Sequence, residues 1–389
     1  MAFIPHSQQI DICGNSVLTD ASKKAHRQSN LELFRIIVML LIIAHHYVVN
    51  SGLFEILKDS DSESSIAMLI FGAWGKTGIN CFVLITGYFM CRSSFSWQKL
   101  MKLYLQIVFY AVIIYLLFCI SGHETFSVLK TIRKLFPINS IASGFVSCFL
   151  IFYLLIPFLN VLVKNIDKRQ HLILTAIMII TYSIFPMLHI QVTFNYISWF
   201  CILYLVASLV RIHGIGDNLS RKFWGYTSAT CLILGVLSII AMHNIYKLQY
   251  ASVWNPYFFI SDSNKILSLA IAFSSFMWFK SLRIRYSTII NTIGASTFGV
   301  LLIHANSDAM RQWLWNETID CVGHINDSSI LTLGYAVLSV ATIFTVCSII
   351  EYGRNRFIES SLCNKATSFY RFTKKSDIIN NIFNSISNG

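Results

Sequence analysis

The sequence predicts an all-α, polytopic membrane protein of about ten transmembrane helices, with both termini cytoplasmic. Three observations carry this. Hydrophobic residues make up 55% of the chain and charged residues 12%, whereas a soluble domain carries about 25% charged residues. Ten apolar runs approach or reach the length that crosses a bilayer. Lysines and arginines collect between alternate runs, as positive-inside sorting requires.

The runs lie near 33–50, 66–91, 103–121, 141–163, 172–189, 194–210, 224–242, 266–280, 288–305 and 329–350. With the N-terminus inside, the inner segments hold 21 of the 30 basic residues and the outer segments 7, while Arg35 and Lys76 lie within spans. The net charge of +12 therefore reads as topology and attraction to anionic headgroups, not as nucleic-acid binding. Residues 1–30 read as a polar cytoplasmic tail without the apolar core of a cleaved signal peptide. Residues 31–356 read as one transmembrane domain, and 357–389 as a basic cytoplasmic tail. A multi-pass protein of the inner or plasma membrane is expected.

The first run, NLELFRIIVMLLIIAHHYVVNSG (30–52), carries charge where an inert anchor would avoid it. At 100° per residue the eleven steps from Arg35 to His46 end about 20° from a whole number of turns, so the two share a face roughly 16 Å apart. His45 points about 80° away. Ionisable groups on one stripe of a membrane helix mark a functional candidate. The second run, IAMLIFGAWGKTGINCFVLITGYFM (66–90), crowds Gly72, Gly75 and Gly78 around Lys76 and adds Asn80. Glycines in a span permit close packing or a broken helix lining a cavity. Counting from the inner ends puts Lys76 and Asn80 near the level of His46. The ninth run ends at His304, again near that level.

Lys99 and Lys102 lie one turn apart at the start of the third run. They read either as positive-inside anchors or as a phosphate clamp completed by Arg35. The ten cysteines form no CxxC pair and mostly sit within apolar runs, which reads as buried thiols. There is no HExxH, GxSxG or Walker pattern, so no metal site or serine triad is expected.

Together these segments resemble the acyltransferase 3 family of integral-membrane acyltransferases, of the bacterial polysaccharide O-acetyltransferase type. Arg35 and His46 fit the family's Arg, ten residues, then His. Gly78-Ile79-Asn80-Cys81-Phe82-Val83-Leu84-Ile85-Thr86-Gly87-Tyr88 fits its second-helix stretch, with Thr86 for the usual serine. Lys99 and Lys102 stand where a basic pair is usual, more often arginine. FYLLIPFLN (152–160) and FGVLLIH (298–304) also look like family segments, and Gly144 replaces a frequent tryptophan.

The resemblance implies transfer of an acyl group, most simply acetyl from acetyl-CoA as the donor substrate, to a hydroxyl of a cell-surface polysaccharide or its lipid-linked precursor. His46 is then the general base. Lys76, Asn80 or His304 would orient it or stabilise the oxyanion, and Arg35, Lys99 and Lys102 would hold the donor's phosphates. The expected partners are the acyl-CoA, the glycan and membrane lipids, with no nucleic acid. A transporter or glycan translocase would use the same intramembrane charges without chemistry, although no second copy of the glycine-rich run suggests inverted repeats.

Overall fold

The computed structural model describes residues 27–60, 62–138, 144–248, 255–325 and 328–359. Most of both expected tails lies outside the described residues. The described elements are α1 (Ser29–Val49), α2 (Leu53–Lys58), α3 (Glu63–Gly72), α4 (Gly75–Met90), α5 (Trp97–Ile120), α6 (Val128–Leu135), α7 (Phe145–Asn165), α8 (Lys168–Ile179), α9 (Phe185–Met187), α10 (Tyr196–His213), α11 (Arg221–Lys247), α12 (Ile266–Ser281), α13 (Thr288–His304), α14 (Asp308–Gln312) and α15 (Ser329–Gly353). The protein is an all-α, polytopic membrane protein.

Within the described residues, each of the ten apolar runs is helical. Eight are long enough to cross a membrane unaided, counting α3 and α4 as one broken span. A ninth is reached if α13 is joined to the segment Asp308–Thr318, across a bend of 96°. The tenth, α12, has only 16 residues. Lipid-facing sides are bare and apolar, as on α15, where Leu338 is 64% and Ile349 65% exposed.

α1 is the hub and packs against α3, α4, α12, α13 and α15. Its start is pinned by polar groups. Asn30 Nδ2 donates to the carbonyls of Phe279, Lys280 and Leu282 at 3.0–3.1 Å, which caps the C-terminal end of α12. Ser29 Oγ donates to Asn291 of α13 and accepts from the amide of Ser287.

Three helices begin inside the bundle instead of at its surface. α4 starts where a side chain on Gly75 would meet the ring of His45, with an added Cβ only 2.2 Å from its Cγ. A Cβ on Gly78 would fall 2.8 Å from Ile42. α7 starts with Phe145 against Phe82, one turn further along α4. α10 starts with Tyr196, hydrogen-bonded to Lys76. Their early starts leave a space above them on the side away from Ser29, which becomes the cavity of the site.

Candidate active site

His46 and His304 meet across α1 and α13. His46 Nδ1 lies 3.0 Å from His304 Nε2, and His304 Nδ1 lies 2.7 Å from the carbonyl of Val300. A carbonyl only accepts, so His304 Nδ1 carries the proton. In the neutral ring Nε2 is then the lone-pair atom and accepts from His46 Nδ1–H. This chain of two bonds leaves His46 Nε2 bare. The sequence places the partners 258 residues apart; their shared level and the family segments that end at each were their sequence signals.

His46 lines a cavity of about 880 Å³. The wall follows the Arg35 stripe of α1, with Met39 and Ile42 below His46, and stops one turn short of Arg35. Gly75 and Lys76 of α4, Gly144 and Phe145 of α7 and Tyr196 of α10 close the opposite side. The N-terminal turns of α4 and α7 have no side-chain cap at Trp74 or Gly144. These turns line the cavity, so their positive dipole ends would stabilise negative charge there.

Lys76 does not snorkel away. Its Nζ donates to Tyr196 Oη at 2.8 Å and pairs with Asp262 at 3.5 Å. Tyr196 thus accepts from an ammonium, and its own proton is available to a ligand. Neither Tyr196 nor Asp262 has a sequence signal that separates it from other residues of its type. His45, turned off the Arg35 stripe, donates from Nδ1 to the Gly72 carbonyl at 2.7 Å. It satisfies a group freed by the α3–α4 break while also lining the cavity.

Asn80 lies apart from the cavity wall. It is fully buried, donates to the Ser263 carbonyl at 2.7 Å and accepts from Trp199 Nε1 at 2.8 Å. Both ends of its amide tie α4 to α10 and to the 255–265 segment. Arg35 is met by Glu32, one turn earlier, at 3.1 Å, and Arg27 reaches the same carboxylate at 3.3 Å. Arg35 Nε is buried without a hydrogen-bond partner, and Arg35 does not line the cavity. Lys99 and Lys102 stand exposed on the first turns of α5 and do not line the cavity. Glu32 was visible in the sequence as an acid three residues before Arg35, a spacing that pairs charges on a helix.

The fold and site define a multi-pass helical bundle in which His46 lines a cavity and His304 is buried behind it, and the family follows from comparison. The chain belongs to the acyltransferase 3 family, whose acyltransferase domain matches residues 28–352. The reaction class is therefore acyl transfer. No curated protein and no solved structure matches the chain.

Proposed function

We propose that this protein transfers an acetyl group from acetyl-CoA to a hydroxyl of a cell-surface polysaccharide or its lipid-linked precursor, at the inner or plasma membrane. The domain is taken as 31–356, between cytoplasmic tails at 1–30 and 357–389. The observation that carries this reading is the His46–His304 pair, which leaves a basic nitrogen on a residue lining a cavity that extends along the Arg35 stripe.

The sugar oxygen attacks the thioester carbonyl carbon as His46 Nε2 takes the hydroxyl proton. The imidazolium is held through Nδ1–H by His304. This attack forms the ester C–O bond; collapse of the tetrahedral intermediate restores the carbonyl and breaks the C–S bond, and His46 returns the proton to the departing thiolate. The oxyanion is met by Tyr196, supported by Lys76, and by the open N-terminal turn of α4. Asn80 contributes by fixing α4, which carries Lys76. On the opposite side Arg35 holds the anionic donor with Lys99 and Lys102.

The test is mass analysis of surface glycans from a deletion strain complemented with wild type, His46→Ala or Arg35→Ala. Acetyl groups are expected to return with wild type, not with His46→Ala, and weakly with Arg35→Ala. Full acetylation by His46→Ala inserted at normal levels would overturn the reading. In purified protein Arg35→Ala should weaken acetyl-CoA binding more than His46→Ala does, and equal affinities would refute that division of roles.

A further inference from the structure

One wall of the cavity has features that transfer to a neutral sugar does not need. α6, VLKTIRKL, is amphipathic. At 100° per residue Val128, Leu129, Ile132 and Leu135 fall on one side, with Lys130 and Lys134 opposite. The apolar side is bare, Val128 being 65% and Leu129 57% exposed. Lys130 and Lys134 line the cavity, and Arg311 of α14 lines it as well.

α6 does not lie flat at the end of the bundle. Tyr115, near the end of α5, hydrogen-bonds the carbonyls of Thr125 and Ser127 and the amide of Ser127. Tyr104, near the start of α5, donates to the Leu135 carbonyl at 2.7 Å. The eleven steps from Tyr104 to Tyr115 span about 16 Å of helix. α6 therefore descends antiparallel along α5, with the cavity on its lysine side and an exposed apolar surface on the other. The acids at the same wall are Glu124 and Asp308. Asp308 pairs with Arg311, and Lys134 lies 5.9 Å from the centre of the Tyr115 ring. Lys130 makes no ion pair among the described residues. Two lysines beside one acid give this wall a cationic surplus, and a cation at membrane depth is stabilised by an anion brought to it.

We infer that the acceptor is a lipid-borne glycan whose phosphate is read by Lys130 and Lys134, its hydrocarbon chain staying in the bilayer along the apolar side of α6. This rests on the acyl-transfer reading above and names the class of its acceptor. The phosphate anchors the glycan at the lateral wall, and a sugar hydroxyl beyond it extends to His46.

The full chain is reconstituted in phosphatidylcholine nanodiscs and offered a polyprenyl phosphate, the uncharged polyprenol of the same chain length, or phosphatidylglycerol. Retention is read by native mass spectrometry. Wild type is expected to prefer the polyprenyl phosphate over the polyprenol by about tenfold or more, given the contribution of each lysine near an anionic group. Lys130→Gln with Lys134→Gln should abolish that preference, while arginines at both positions retain it. Equal retention of phosphate and alcohol by wild type, or an unchanged preference in the double glutamine variant, would overturn the inference. So would displacement by phosphatidylglycerol at equal concentration, which would mark a general lipid-headgroup contact. The complemented strain separates the two readings. Full His46-dependent glycan acetylation by the double variant removes the anionic acceptor and leaves acyl transfer standing. Acetylation that ignores His46 removes acyl transfer whatever lipid is bound.

Discussion

A histidine acts as a base through the nitrogen it leaves unbonded, and two hydrogen bonds settle which one that is in His46. The Val300 carbonyl fixes His304, and His304 fixes His46. His46→Ala should lower transfer by about 10²- to 10⁴-fold, the usual worth of a positioned base, with the melting temperature in detergent little changed. His304→Ala removes only the group that holds the base in place. A smaller loss, in kcat more than in KM, is expected there. His304→Gln keeps an acceptor for His46 Nδ1–H and should recover part of the rate, whereas a rate as low as His304→Ala would argue against the positioning role. Much of this was legible in the sequence. Rotation along α1 separates His46 from His45, and counting brings Lys76 and His304 to one level. The Val300 carbonyl, Tyr196 and Asp262 were not legible, because contacts between distant segments depend on how helices start and tilt. Asn80 shows the same limit. Its place on α4 was readable, but the direction of its amide, toward Ser263 and Trp199 and not the cavity, was not.

At the scale of elements the site depends on helices that break or begin early. The glycine-rich run reads in sequence as either close packing or a broken span, and it is both. Gly75 lets α4 start against His45, and the break at Ala73–Trp74 frees the Gly72 carbonyl for the same histidine. Gly75→Ala would place a methyl 2.2 Å from His45 Cγ. It should cost about 1–3 kcal/mol, as overpacking does, and lower transfer by displacing α1. Unchanged melting and transfer would show that the contact is not needed. A second tie holds α5 to α15. Glu351 is 1% exposed and accepts from Gln106, Tyr110 and Arg354 at 2.6–3.0 Å. Glu351→Ala leaves Arg354 with its carboxylate gone and should destabilise by about 3–5 kcal/mol, read by thermal melting. Glu351→Gln, whose one amide oxygen can still accept from Tyr110 and Arg354 Nε, should cost less. The sequence shows Glu351 with Arg354 three residues on, but not Gln106 and Tyr110, because those two partners lie on another helix.

At the scale of the molecule, composition and apolar periodicity were enough for the class of fold. All ten runs are helices, although α12 is short and α13 needs its bent extension to span. These irregular spans are hard to read because apolar length does not reveal a bend. Orientation rests on the basic residues. Lys58→Cys, after α2, should react with an impermeant thiol reagent in intact cells, and Arg92→Cys, after α4, only after permeabilisation. The reverse pattern would invert the donor and acceptor sides. A transporter would also present intramembrane charge, but it would not need a bare, oriented imidazole nitrogen in its cavity. The most direct measurement follows the acyl group itself. Membranes carrying wild type or His46→Ala are incubated with acetyl-labelled acetyl-CoA, and label in glycan is counted. Label is expected in glycan with wild type and to fall by about 10²-fold or more with His46→Ala; equal label in both, or none with wild type while the glycan is still translocated, would contradict acyl transfer at His46.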